Sequence, residues 1–132
     1  MTLTFYYAPF STSNVTDAVL AELEHGRAEK IAERHKVSLK DSEQRTENYL
    51  TKVNPNGLVP ALVHDGVQIW ESAAITIYLG ELFGTEGAEP LYPKPGPTRG
   101  EALKWIVWGN THLSANAFAV HAAHGAKDEV RR

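Results

Sequence analysis

The chain of 132 residues contains no cysteine, which excludes disulfides, thiolate metal sites, iron–sulfur clusters and a nucleophilic thiol of its own. It also lacks an excess of positive charge, since 13 basic and 16 acidic side chains give a net charge of −3, unlike a nucleic-acid-binding surface. No stretch approaches the roughly 18 consecutive apolar residues that span a bilayer, and the N-terminus does not resemble a signal peptide. We therefore expect a soluble cytoplasmic protein that binds neither nucleic acid nor membrane.

Familiar catalytic and metal-binding motifs are absent as well. The sequence has no phosphate-binding glycine motif and no Gly-x-Ser-x-Gly nucleophile elbow. His121 and His124 share a helical face and His112 lies nearby, but no acidic residue at ligand spacing completes a zinc set. We interpret these histidines as exposed helix positions and predict no metal.

The hydrophobic pattern predicts alternating strands and helices, and therefore a mixed sheet covered by helices. Residues 27–39 suit a helix or a strand equally well. The other predicted elements, in chain order, are a strand over 3–7, a helix over 14–24, a short helix over 46–52, strands over 58–63 and 67–70 joined by an Asp-Gly turn, and an apolar helix over 73–83.

Residues 84–97 are rich in glycine and proline, which predicts a linker and a domain boundary. A long helix is predicted from Thr98 to about His124, and its apolar face needs a partner because tertiary burial supplies most helical stability. The stripe on that face consists of Leu103, Ile106, Val107, Asn110, Leu113 and Ala117.

Three short segments could carry chemistry. A cis Val59–Pro60 bond would leave the backbone of Val59 free to pair with an extended peptide, whereas a trans proline would only mark a strand edge. Glu71 and Ser72 at a helix start suit a ligand with an ammonium and a carboxylate group, or form an ordinary cap. The hydroxyls at 11–13 could stabilise a thiolate or phosphate, or cap the first helix.

The order of these signals is more specific than any one of them. It consists of Tyr-Ala-Pro-Phe-Ser over 7–11, Asn-Pro-Asn-Gly-Leu-Val-Pro-Ala-Leu-Val over 54–63, and Trp-Glu-Ser-Ala-Ala-Ile over 70–75. This order resembles the cytosolic glutathione S-transferase superfamily, especially its bacterial, serine-dependent members. The resemblance implies a thioredoxin-like, glutathione-binding domain over 1–83 (βαβαββα), a linker over 84–97, and an incomplete all-helical C-terminal domain over 98–132 that begins with its first helix.

The resemblance also implies roles for individual residues. In the family, the proline that matches Pro60 is cis, and the residue that matches Val59 pairs its backbone with the cysteinyl part of glutathione. The pair that matches Glu71 and Ser72 holds the γ-glutamyl end. Ser11 is then the catalytic hydroxyl that hydrogen-bonds the glutathione sulfur, and Thr12 lies beside it in the binding site.

The implied function is a glutathione S-transferase with glutathione as cosubstrate. It would stabilise the thiolate for attack on a hydrophobic electrophile, in detoxification, as a homodimer without a metal. Two alternatives stay open: a non-catalytic thioredoxin-fold interaction module, and another glutathione-dependent reaction such as peroxide reduction, isomerisation or dehalogenation. The lack of cysteine disfavours a cysteine-dependent thiol transferase.

Overall fold

A four-stranded sheet with helices on both faces forms most of the molecule in the computed structural model. The structure describes residues 2–87 and 89–130, and only the backbone of residues 125–130. The outer ends of the predicted domain ranges, residue 1 and residues 131–132, lie outside the described residues.

The strands are β1 (Leu3–Tyr7), β2 (Glu33–Lys36), β3 (Ala61–His64) and β4 (Val67–Trp70), in the spatial order β2-β1-β3-β4. β1 pairs parallel with β2, and the other two pairings are antiparallel. The ambiguous segment 27–39 thus contains a short strand. The strand predicted over 58–63 begins only at Ala61, because Pro60 has no amide hydrogen to donate to the ladder.

The helices are α1 (Ser13–Glu24), α2 (Glu47–Lys52), α3 (Ser72–Phe83), α4 (Pro97–Trp108) and α5 (Ala115–Val130). A 3₁₀ turn, Glu43–Arg45, precedes α2. The long helix predicted from Thr98 is interrupted, because one π-helical turn, Gly109–Ser114, separates α4 from α5.

Alternation along the strands divides the core into two layers. Leu3 and Phe5 of β1 face α1 and α3 and pack with Leu20 and Ile75. Tyr6 points to the opposite face, where α2 covers a second cluster built from Val37, Tyr49, Val53 and Ala61. The predicted α/β architecture, with the order βαβαββα followed by helices, is confirmed.

The strand directions bring three loops to one edge of the sheet. β1 and β4 each run antiparallel to β3, so the ends of β1 and β4 lie beside the start of β3. The register pairs Ala61 with both Tyr6 and Trp70. Consequently the turn after β1, the loop before β3 and the start of α3 meet at this edge.

Candidate functional site

A cleft of about 230 Å³ lies where these three loops meet the π-helical turn Gly109–Ser114 and the first turn of α5. It contains five of the six residues predicted for the site, and Ser11 is the exception. Its lining consists of Thr12, Asn54, Leu58, Val59, Pro60, Glu71, Ser72, Asn110, Ser114, Ala115 and Phe118.

Thr12 and Val59 connect the first helix to the proline loop. The Thr12 hydroxyl donates to the Val59 carbonyl oxygen at 3.2 Å, and the Val59–Pro60 peptide bond is cis. The Val59 amide has no acceptor among the residues that the structure describes. The cleft therefore presents one free backbone donor next to a hydroxyl at the start of α1.

Ser11 does not line the cleft, because its hydroxyl is held within the turn. The Ser11 Oγ lies 2.7 Å from the carbonyl oxygen of Ala8 and 2.6 Å from the Oγ of Ser13, and the Ser13 hydroxyl lies 2.8 Å from the same carbonyl. The Ser11 Oγ also accepts the Ser13 backbone amide at 3.2 Å. Both hydroxyl protons are thus used inside the turn, which is a local capping arrangement.

Glu71 and Ser72 open α3 on the opposite wall of the cleft. Glu71 is exposed and has a backbone φ of 73°, an uncommon left-handed conformation that tends to occur at functional sites. The Ser72 hydroxyl donates to the Asn110 Oδ1 at 2.5 Å. Glu71 therefore offers a carboxylate that has no partner among the described residues, whereas Ser72 is already bonded to Asn110 in the π-helical turn.

Two buried side chains support the proline loop from behind. The Tyr49 hydroxyl and the Asn54 side-chain amide both donate to the Leu58 carbonyl oxygen, each at 2.9 Å. Burial raises the pKa of Tyr49, so its phenol remains a neutral donor. These two bonds fix the backbone just before Val59.

The sequence analysis assigned no role to the other residues that line the cleft. Asn54 and Leu58 lie in the 54–63 segment, but no individual role was predicted for either of them. Asn110 was placed in the apolar stripe of the last helix, where a polar side chain among Ile106 and Leu113 is itself a signal. Ser114, Ala115 and Phe118 carry no comparable pattern.

Among the side chains that the structure describes, those of residues 2–87 and 89–124, no three from His, Asp or Glu gather closely enough to hold a metal ion. Within residues 2–87 and 89–130, no helix combines the length and the hydropathy of a bilayer-spanning segment.

The sheet order, the cis proline and the cleft beside it define a thioredoxin-like domain followed by helices. A family model described as "Glutathione S-transferase, N-terminal domain" matches residues 1–81. This match covers more than half of the chain, so the chain belongs to the glutathione S-transferase family.

Individual relatives agree with that assignment. The glutathione S-transferase GstB of Escherichia coli K12 is 42% identical over 64 residues, which are 47% of this chain and 29% of GstB. The crystal structure of the beta-etherase LigF from Sphingobium sp. SYK-6 shares 32% identity with a TM-score of 0.67, over 84% of this chain and 43% of LigF. A glutathione transferase homologue from Drosophila mojavensis, with bound glutathione, shares 26% identity with a TM-score of 0.67, over 83% and 47% of the two chains. The chain therefore covers less than half of each of these proteins.

Proposed function

We propose that this protein is a glutathione S-transferase that binds glutathione in the cleft at the sheet edge. The observation that carries the proposal is that one cleft joins Thr12, Val59, Pro60, Glu71 and Ser72, which lie far apart in the sequence. The free amide of Val59 suits the backbone of an extended tripeptide. The exposed carboxylate of Glu71 suits the ammonium group of its γ-glutamyl end.

The proposed chemistry uses the sulfur that the cosubstrate brings. A free thiol has a pKa of about 8.5, and a hydroxyl donor together with the N-terminus of α1 favours the thiolate. The thiol proton passes to solvent, the thiolate forms a carbon–sulfur bond, and the electrophile loses its leaving group with the bonding electron pair. The protein contributes positioning and stabilisation of the negative charge.

We propose Thr12 and Ser11 as the two hydroxyls that could donate to the thiolate, and the geometry favours Thr12. The Thr12 hydroxyl is on the cleft wall, and its single bond to Val59 is long at 3.2 Å. Ser11, the residue implied by the family resemblance, reaches a ligand only if its hydroxyl leaves Ala8 and Ser13.

Steady-state conjugation of glutathione to a chromogenic aryl halide tests this proposal. Thr12→Val keeps the shape of the side chain and should lower kcat about tenfold or more, because one donor to the developing charge is lost, while the Kd for glutathione stays within about twofold. Loss of turnover in Ser11→Ala but not in Thr12→Val would make Ser11 the donor. Full turnover in both variants would contradict thiolate activation by the hydroxyls of Ser11 and Thr12. If the wild type binds glutathione but shows no turnover, the non-catalytic interaction module is favoured instead.

A hydrophobic electrophile and a homodimer complete the proposal. Leu58 and Phe118 line the cleft and are 55% and 52% exposed, so an apolar reactant has a surface to contact beside the sulfur.

The proposed homodimer rests on exposed apolar side chains outside the cleft. Trp105 of α4 and Leu113 of the π-helical turn are each 58% exposed, which supports coverage by a second copy. We expect a mass in solution of twice the 14.6 kDa of one chain.

A further inference from the structure

The first ten residues of α5, 115–124, form an exposed apolar helix. Seven of the ten are alanine, phenylalanine or valine, and all ten are exposed. The large members, Phe118 and Val120, are 52% and 57% exposed. A helix that is apolar around most of its circumference is normally buried, because tertiary burial supplies most helical stability. This segment therefore needs a partner surface.

An apolar groove of about 740 Å³ lies between α1, α3 and α4 of the same molecule. Val15 and Leu91 line it and are 52% and 59% exposed, so large apolar side chains face solvent there. Ala18 of α1 and Ala102 of α4 also line it. Small side chains at a contact let helix axes approach closely, so the groove suits an additional helix that is rich in alanine.

The charges of the two surfaces are complementary. Among the described residues that line the groove, Glu22 of α1 is the one charged side chain, and it is exposed. Residues 115–124 contain no carboxylate, and their ionisable side chains are those of His121 and His124. An imidazole N–H can donate to a carboxylate, so α5 brings hydrogen-bond donors and no repelling charge to the groove.

The α5 helix cannot enter the groove of its own chain. The helix runs on from α4 through the π-helical turn into α5, because Gly109 and Ala115 at the two junctions have right-handed helical dihedral angles. Ile106 lines the groove, whereas Val120 lies about 21 Å further along the axis, at about 1.5 Å per residue. The occupant that the structure offers is therefore α5 of a second copy.

We propose that two copies exchange these surfaces, so that α5 of each copy packs in the groove between α1, α3 and α4 of the other. One two-fold axis relates the two contacts, and the assembly closes as a dimer. The long helices of the two copies then run antiparallel, and Leu113, midway between Ile106 and Val120, lies near the axis. The inference names the surface buried by the proposed homodimer and does not depend on glutathione binding.

Ala18→Arg tests the groove, and Ala21→Arg is its matched control. Both alanines are exposed on α1, but Ala21 lines a different, polar pocket. Light scattering measures the mass of each variant over a range of chain concentrations, and circular dichroism verifies its fold. We expect twice the 14.6 kDa of one chain for the wild type and for Ala21→Arg. Ala18→Arg should have the mass of a single chain, because the arginine side chain occupies the groove.

Thiol cross-linking tests the contact without blocking it, and it is site-specific because the chain has no cysteine. A chain carrying Ala18→Cys is co-expressed with an affinity-tagged chain carrying Val120→Cys, and a bismaleimide linker joins thiols that lie close together. In the control pair, Glu29→Cys takes the place of Ala18→Cys, since Glu29 is exposed and does not line the groove. We expect at least about tenfold more product joining tagged to untagged chains in the first pair.

Two outcomes would overturn the inference. A wild-type dimer that the folded Ala18→Arg variant leaves intact, or equal cross-linking in both pairs, would show that the copies meet on another surface, and the homodimer would stand without this contact. A wild-type monomer at every concentration would contradict the inference and the homodimer together, while titration with glutathione tests the cleft separately. If Ala18→Arg does not fold, the cross-linking decides.

Discussion

At the scale of single residues, Glu24 is a buried carboxylate that remains ionised. Its side chain is 2% exposed and receives the Arg34 guanidinium at 3.2 and 3.0 Å, the Ile31 amide at 3.0 Å and the Lys30 ammonium at 3.1 Å. Burial disfavours the charge, but these donors outweigh it and lower the pKa of Glu24 to about 2. The cluster ties the segment before β2 to the end of α1.

Glu24 should therefore make the stability of the fold depend on pH. Because its pKa is lower in the folded state than in the unfolded chain, its contribution is present above about pH 4.5 and is lost as the pH falls toward 2. Over that interval the pKa shift of Glu24 corresponds to about 3 kcal/mol of the free energy of unfolding. Urea unfolding of the wild type and of Glu24→Gln at pH 6 and pH 3 measures this contribution. Glu22→Gln is the control, because Glu22 lies on the same helix and is exposed.

The wild type and Glu22→Gln should lose more stability between these two pH values than Glu24→Gln does. If all three proteins lose the same amount, the Glu24 cluster does not hold the carboxylate in its charged form.

The site residues differ in how far the sequence could predict them. Glu71, Ser72 and Pro60 were predicted because each lies at a junction of elements that the pattern makes visible. The inward turn of the Ser11 hydroxyl depends on Ser13 and on the Ala8 carbonyl group, and no sequence pattern reports such a rotamer. Asn110 meets Ser72 across 38 residues, a contact that only the tertiary structure defines.

At the scale of elements, β2 shows why local pattern could not settle residues 27–39. Its four residues, Glu-Arg-His-Lys, are all exposed and none is apolar, so they lack the alternation that indicates a strand. They form a strand because they pair with β1 at the edge of the sheet, from Thr4 beside Glu33 to Tyr7 beside Lys36. Charged side chains at a sheet edge also oppose pairing with other chains.

The segment predicted as a linker packs against α3 through a close contact between Tyr92 and two glycines, Gly80 and Gly84. Tyr92 is 4% exposed, and its amide donates to the Gly84 carbonyl oxygen at 2.9 Å. A Cβ atom on Gly80 would lie 2.8 Å from Cγ of the Tyr92 ring, which is closer than packed carbon atoms approach. The sequence predicted the linker from its glycines and prolines, but not that it packs against α3.

Gly80→Ala should destabilise the protein, even though alanine is the better helix former by about 1 kcal/mol. Displacing the Tyr92 ring should cost more than that gain, because overpacking a filled site typically costs about 1–3 kcal/mol. Gly100→Ala in α4 is the matched control, since a Cβ there meets nothing within 4 Å and should be neutral or stabilising. Chemical unfolding compares the two variants, and equal stabilities would contradict the contact with Tyr92.

At the scale of the whole molecule, the chain combines a thioredoxin-like domain with helices that add to its cleft. Residues from α3, the proline loop and the π-helical turn line a single cavity, and Ser72 of α3 donates a hydrogen bond to Asn110 of the π-helical turn. A second, apolar groove of about 740 Å³ lies between α1, α3 and α4. The order of the motifs along the sequence made the thioredoxin-like domain predictable, whereas the contribution of the π-helical turn and α5 to the cleft is visible only in the fold.

The central claim is that the cleft binds glutathione through Glu71 and the proline loop. Calorimetric titration of the whole chain with glutathione tests it most directly, with Glu71→Ala as the site variant and the exposed Glu29→Ala as its control. We predict saturable binding at one site per chain, unchanged in Glu29→Ala and weakened about tenfold or more in Glu71→Ala, because the ammonium group loses its charged partner. No saturable binding by the folded wild type, or equal affinity in both variants, would contradict the account.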